Sequence, residues 1–169
     1  MRIRTRRARA DDRAAVWALY EAALRGHIEA IWGWDDGWQA DHFEHAWQVA
    51  ITCIVERDGV ACGYVQLDAG EREVYLRMLV LAPAARSHGI GAALLAAIVA
   101  RARTSGREPR LRVFRVNDHA RRFYLREGWQ VTGQDAAFYE MAPPVAPAAS
   151  GQQLAPTAAD FEIAFTVPT

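Results

Sequence analysis

Residues 79–95 read LVLAPAARSHGIGAALL: an apolar run stopped by Pro83, a glycine-bearing hinge at Arg86-Ser87-His88-Gly89-Ile90-Gly91, and a second apolar run. Pro83 has no N–H for a ladder, so the first run ends there as a strand. The second continues as GIGAALLAAIVARAR, too long for a strand and closed by Arg101, Arg103 and Gly106, which marks a helix. The stretch is therefore a strand, a loop and a helix. The first turn of a helix has unpartnered N–H groups and a partial positive charge, so a glycine-rich lead-in makes an anion cradle, and Arg86 adds a charged donor. Diphosphate is the natural guest, although glycines at a helix start also serve close packing alone.

Two familiar phosphate loops are excluded by residue type. A P-loop needs Gly-Lys-Ser/Thr, and all 20 residues of the Lys+Arg count are Arg. The dinucleotide fingerprint needs a third glycine, where this chain has Leu94, and it follows a parallel strand rather than a meander. The zero formal net charge excludes a global field for nucleic acid or an anionic membrane, so any anion site is local.

Upstream, the Arg-rich start MRIRTRRARA lacks the apolar segment of a targeting peptide and reads as a first strand. Asp11 can cap a helix carrying Val16, Leu19, Tyr20 and Ala23, with Gly26 as its stop. A Trp-rich stretch then turns around residues 32–34, and a second helix, opened by Asp35 or Asp36, carries Phe43 and Trp47 one turn apart. Strands over 50–57, 60–67 and 73–81 form an antiparallel meander through Asp58-Gly59 and Ala69-Gly70. Cys53 and Cys62 fall on one face of it, diagonally; plain core residues are favoured over a disulfide. Downstream come a strand over 111–116, a helix capped by Asn117 or Asp118 and ended by Gly128, and short strands over 129–132 and 137–141. The order β-α-α-β-β-β-α-β-α-β-β is an α/β fold with a mixed sheet, parallel in character after the meander. No apolar run reaches the length of a membrane span.

LVLAPAARSHGIGAALL resembles the acetyl-CoA-binding motif of the GNAT superfamily of N-acyltransferases, Gln/Arg-x-x-Gly-x-Gly/Ala. NDHARRFYLREGW, residues 117–129, resembles the same family's Asn-x-x-Ala-x-x-Phe-Tyr segment running into Gly-Phe, with Trp129 in place of Phe. The resemblance spans the first 142 residues and implies a mixed six- to seven-stranded sheet flanked by about four helices. It implies that residues 79–81 (Leu79, Val80, Leu81) form a bulged strand whose backbone pairs with pantetheine. Arg86, Ser87, His88, Gly89, Ile90, Gly91 and Ala92 would hold the pyrophosphate, Asn117 the pantetheine arm and Arg126 the 3′-phosphate.

The implied activity is direct attack of a primary amine, of a small molecule or a peptide, on acetyl-CoA. The backbone N–H near Leu79 or Val80 would polarise the carbonyl, and Tyr124 would protonate the leaving thiolate. The acceptor site would draw on Glu29, Trp32 and Trp34. No base stands out among Glu29, His27, Asp35, Glu73 and Tyr75; Arg77 and Tyr75 occupy the part of the fourth strand where family members often present a carboxylate. His42 and His45 match no zinc spacing and read as solvated helix histidines, so no metal is expected. The alternative is a non-catalytic acyl-CoA sensor that keeps the loop without turnover. A cytoplasmic location is expected. Residues 143–169 form a Pro/Ala-rich extension whose alternating segment 161–167 suits a strand, in its own sheet or in that of a homodimer partner.

Overall fold

The computed structural model describes residues 1–146, so the expected strand over 161–167 lies outside the described residues. Seven strands and four helices follow in the expected order. They are β1 (Ile3–Arg7), α1 (Arg13–Ile31), α2 (Asp36–Val49), β2 (Ile51–Arg57), β3 (Val60–Ala69), β4 (Glu73–Leu81), α3 (Ile90–Thr104), β5 (Glu108–Phe114), α4 (Asp118–Arg126), β6 (Gln130–Gln134) and β7 (Phe138–Ala142). The sheet order is β1-β2-β3-β4-β5-β7-β6; β4 and β5 pair parallel and every other pair is antiparallel. No helix among the described residues is long and apolar enough to cross a membrane.

The sheet separates two cores. On one face Leu94, Leu95 and Ile98 of α3 are buried with Tyr124 and Trp129 against Val74, Leu76 and Leu111. Each such aliphatic side chain stabilises the fold by about 1.5–3 kcal/mol. On the other face Val16 and Tyr20 of α1 and Phe43 of α2 pack on Ile54, Tyr64 and Val80. Arg6 ties this half together: its guanidinium bonds Asp12 and Glu56, 2.7 Å from each, and holds the Asp12 carboxyl down at about 2.

Three local expectations are corrected. Gly26 does not stop α1, which runs on to Ile31; burying Ile28 one half-turn later offsets the roughly 1 kcal/mol that a helical glycine costs. The start of α1 is organised by Asp12 rather than Asp11, its carboxylate accepting the Arg9 N–H at 2.7 Å. The β4 bulge lies at Arg77 rather than within residues 79–81, which pair regularly with Val65, Tyr64 and Gly63.

That bulge matters to the site. Gln66 opposes Met78 while Leu67 opposes Leu76, so Arg77 is an extra residue on β4. Alternation shifts by one, which lets Leu76 and Leu79 both face α3 while Met78 and Val80 face α1 and α2. The pairing of β4 with β5 also stops at Leu76 opposite Leu111, after which β5 pairs only with β7. Beyond Leu76 the two parallel strands diverge, and the β5-facing backbone of Met78, Leu79 and Val80 has no strand partner among the described residues.

Candidate active site

The loop between β4 and α3 is shaped by two left-handed residues, Ser87 at φ +63° and Gly89 at φ +74°. That conformation costs a side-chain-bearing residue about 1–2 kcal/mol, and it turns successive N–H groups toward one another into an anion-binding concavity. Arg86 Nε donates to the Leu81 carbonyl at 3.0 Å and His88 Nδ1 to the Arg86 carbonyl at 2.6 Å, folding both side chains back over the turn. The first helical bond of α3 is Ala93 N–H to Gly89 O. The amides from Ser87 to Ala92 therefore find no acceptor among the described residues, at the positive end of a fifteen-residue helix. Gly91 has a second reason to be glycine: a Cβ there would lie 3.3 Å from the Phe123 ring, so α3 and α4 meet across it. The residues present thus fit a diphosphate, and the strand edge left open on β4 fits an extended amide-bearing arm beside it.

Where β4 and β5 part, a cavity of about 380 Å³ is lined by residues from both faces of the sheet. Its α3–α4 end is lined by Leu79, Asn117, Ala120 and Tyr124, and its α1–α2 end by Tyr20, Gln39, His42, Phe43 and Met78. Trp32, Trp38, Phe114 and Phe138 close the outer side, with Arg77 and Arg112 the two cations present. The Trp32 ring meets Phe114 at 5.9 Å and Phe138 at 6.0 Å. No carboxylate among the described residues lines this space.

Tyr124 is 9% exposed, and burial, reinforced by the Tyr75 phenol, holds its own phenol well above the usual range. Tyr75 is shifted up as well, chiefly by burial, against the opposing pull of Arg112 and Arg77. Tyr20 is pushed up to about 12 by burial, and its hydroxyl donates to Gln39 Oε1 at 2.7 Å. All three phenols are donors here. Asn117 caps α4, its Oδ1 accepting the Ala120 N–H at 3.1 Å.

The cavity brings together Leu79, Val80, Asn117, Tyr124 and Trp32. The loop residues 86–92 lie outside it, at the α3 N-terminus. Arg126 is exposed, its guanidinium 5.6 Å over the Phe123 ring. Trp34 does not line the cavity; it packs on Trp17 and Tyr20, with Nε1 donating to Asp36. Glu29 is bound to Arg25 at 2.9 Å on the outside of α1. Of the base candidates only Tyr75 lines the cavity; Asp35 caps α2 through the Trp38 N–H, Glu73 faces Arg110, and His27 lies against Phe114. Arg77 is held by Asp68 at 2.5 Å.

Sequence reading passed over Gln39, Arg112, Phe114 and Phe138, and took His42 for a solvated helix histidine; the residue is exposed, and it also lines the cavity. For His42 a signal was present: it sits four residues after Trp38, and the two rings stack at 4.9 Å and 9°. The others come from elements that only the closed sheet brings together.

The model of the Acetyltransferase (GNAT) family matches residues 10–129, well over half of the chain. Among curated proteins, none matches the sequence. The PaiA N-acetyltransferase of Thermoplasma acidophilum, solved in complex with coenzyme A, superposes with a TM-score of 0.69 at 18% identity over 85% of this chain and 99% of its own. Arabidopsis thaliana Naa50, in complex with the bisubstrate analogue CoA-Ac-MVNAL, gives 0.60 at 17% identity over 85% and 99%. The yncA protein of Salmonella typhimurium, a putative acetyltransferase solved with acetyl-CoA, gives 0.58 at 20% over 89% and 98%.

Proposed function

The chain belongs to the GNAT acetyltransferase family and takes its acyl group from acetyl-CoA, and we propose that it transfers that group directly to a primary amine of a small molecule or a peptide. The observation that carries this reading is one cavity, lined from both faces of the sheet, that holds the unpartnered β4 backbone and Tyr124 at one end and an aromatic acceptor wall at the other.

On this reading the amides of residues 87–92 hold the pyrophosphate, with Arg86 and His88 bracing the turn. The free edge of β4 at residues 79–81 and the Asn117 side chain hold the pantetheine arm, and Arg126 meets the 3′-phosphate. The bound thioester supplies an activated acetyl group and a thiolate leaving group. The backbone N–H near Leu79 or Val80 stabilises oxyanion charge as it develops. Tyr124 donates a hydrogen bond to the sulfur. Burial keeps its proton in place at neutral pH but also makes it a weak acid, so full transfer is completed as a proton leaving the nitrogen replaces the one it gives up. Trp32 frames the acceptor, and Trp34 and Glu29 belong to the surrounding α1–α2 segment rather than to the cavity wall. A cytoplasmic setting, and a homodimer formed through the 143–169 extension, belong to the same proposal; an unchanged solution mass after deleting the extension would discard the latter.

Thiol release from acetyl-CoA across an amine panel tests the reading. An acetyltransferase releases CoA with at least one amine, and Tyr124→Phe lowers kcat by about 100-fold or more while acetyl-CoA still binds. Binding without release above the hydrolysis blank, for every amine, would instead identify a sensor; unchanged turnover in the variant would remove the acid role.

A further inference from the structure

Acetyl transfer to an amine needs somewhere for a proton to go, because a primary amine has a pKa of about 10 and arrives as ammonium. The side chains at the cavity can be taken in turn. Tyr20, Tyr75 and Tyr124 are all shifted toward holding their protons. Arg77 and Arg112 have no acceptor atom, and the amides of Gln39, Gln66 and Asn117 are not bases at these pH values. No carboxylate among the described residues is present. What remains is one imidazole.

Resting on the acetyltransferase reading above, we propose that His42 is the general base that takes the acceptor's proton at the mouth of the cavity. His42 lies on the α1–α2 end, opposite Tyr124, so acid and base stand on the two sides of the sheet that the cavity joins. Its ring stacks flat on Trp38, which fixes the plane in which its nitrogens point. The titratable and charged groups that act on it are Arg77 from β4 and His45 from its own helix. His42 is exposed as a whole, but desolvation of its inner edge first, then these two, lower its pKa, so the imidazole is neutral at physiological pH. Its exposed edge returns the proton to water.

The protons balance. His42 takes the first from the ammonium and passes it to solvent. The freed lone pair forms the N–C bond as the C–S bond breaks, and the second nitrogen proton replaces the one that Tyr124 delivers to sulfur. One amide, one thiol and one released proton result.

The test uses the full chain, with wild type, His42→Gln, His42→Ala and Tyr124→Phe compared across pH with one accepted amine. For wild type, kcat/KM for the amine falls on the acidic side with a midpoint below the ordinary imidazole value of about 6.5. His42→Gln lowers the rate at pH 7 by about 100-fold and loses that limb, and its deficit narrows as pH nears about 10, where the amine is already free. Tyr124→Phe lowers kcat and keeps the limb. Without any cofactor, NMR titration of the histidines, with the His42 signal assigned by its loss in the variants, gives the same midpoint. Equal CoA affinity in wild type and His42→Gln shows that the variant is folded. A wild-type rate and limb in His42→Gln, or a His42 midpoint away from the limb, overturns the assignment while leaving the acetyltransferase standing; wild type inactive with every amine overturns both.

Discussion

The two ends of the cavity are made in different ways. The proposed donor end is backbone: a strand edge released where β4 leaves β5 and, just outside the cavity, a left-handed turn at Ser87 and Gly89 whose amides from residue 87 to residue 92 find no acceptor among the described residues. The acceptor end is side chain: rings and polar groups gathered from α1, α2, β4, β5 and β7. A backbone site depends on local chain geometry and accepts the same diphosphate whatever surrounds it. A side-chain site can be rebuilt one residue at a time without disturbing the sheet. The donor is therefore constant while the acceptor is open to change, and substitutions at the two ends should separate cleanly in binding measurements.

The largest separation is expected at Gly89. Its φ of +74° lies in the left-handed region, with no neighbouring atom within 4 Å of where a Cβ would stand, so the conformation alone requires glycine. Gly89→Val places a β-branched residue there at a cost of about 1–3 kcal/mol, and relaxing the turn misaligns the amides. CoA affinity, read by calorimetry, should fall by about tenfold or more, while the acceptor KM at saturating acetyl-CoA stays as in wild type. A variant that raised the acceptor KM and spared CoA binding would break the division between the two ends.

The reciprocal change is Trp32→Ala. Trp32 is 62% exposed, an unusual cost for so large a ring, and it stands edge-on to Phe114 and near Phe138 across the cavity wall. Removing it takes away aromatic contact of about 0.5–1.5 kcal/mol, so the acceptor KM should rise by about threefold to tenfold with CoA affinity unmoved. Initial-rate kinetics with each substrate varied in turn would read both.

The same difference decides what the sequence could tell. The elements of the proposed donor site were legible because their residues are contiguous: Gly89, Gly91 and Pro83 are local punctuation, and Asn117 and Tyr124 sit seven apart at one short helix. The β2-β3-β4 meander was legible for the same reason, since Asp58-Gly59 and Ala69-Gly70 announce their own turns. The acceptor wall was not. Phe114 and Phe138 stack at 4.6 Å because β5 and β7 pair, a register that no local pattern around either residue encodes. Gly26 misled in the opposite direction, since its local signal was outweighed by the burial of Ile28 on the sheet. The bulge was expected in β4 but its place, Arg77, depends on register against β3.

The smallest expected effect tests how far the acceptor end extends. Its place on a segment that could border the acceptor cleft made Glu29 a candidate acceptor-site residue. In the fold its carboxylate lies on the outer side of α1, 2.9 Å from Arg25 and 50% exposed, and Arg25 also bonds Glu21 one turn back. Exposed pairs of this spacing contribute about 0.3–0.5 kcal/mol to a helix and exert little force through water on a charge several residues away. Glu29→Gln should thus shift the acceptor KM less than about twofold and leave kcat unchanged, and raising the salt concentration should not alter that comparison. A clear rise in KM confined to Glu29→Gln, relieved by salt, would mean that the amine is met outside the aromatic wall before it reaches the cavity. In that case recognition would begin on α1, and Arg25, which bridges Glu29 to the Trp34 ring at 5.2 Å, would be the next residue to change.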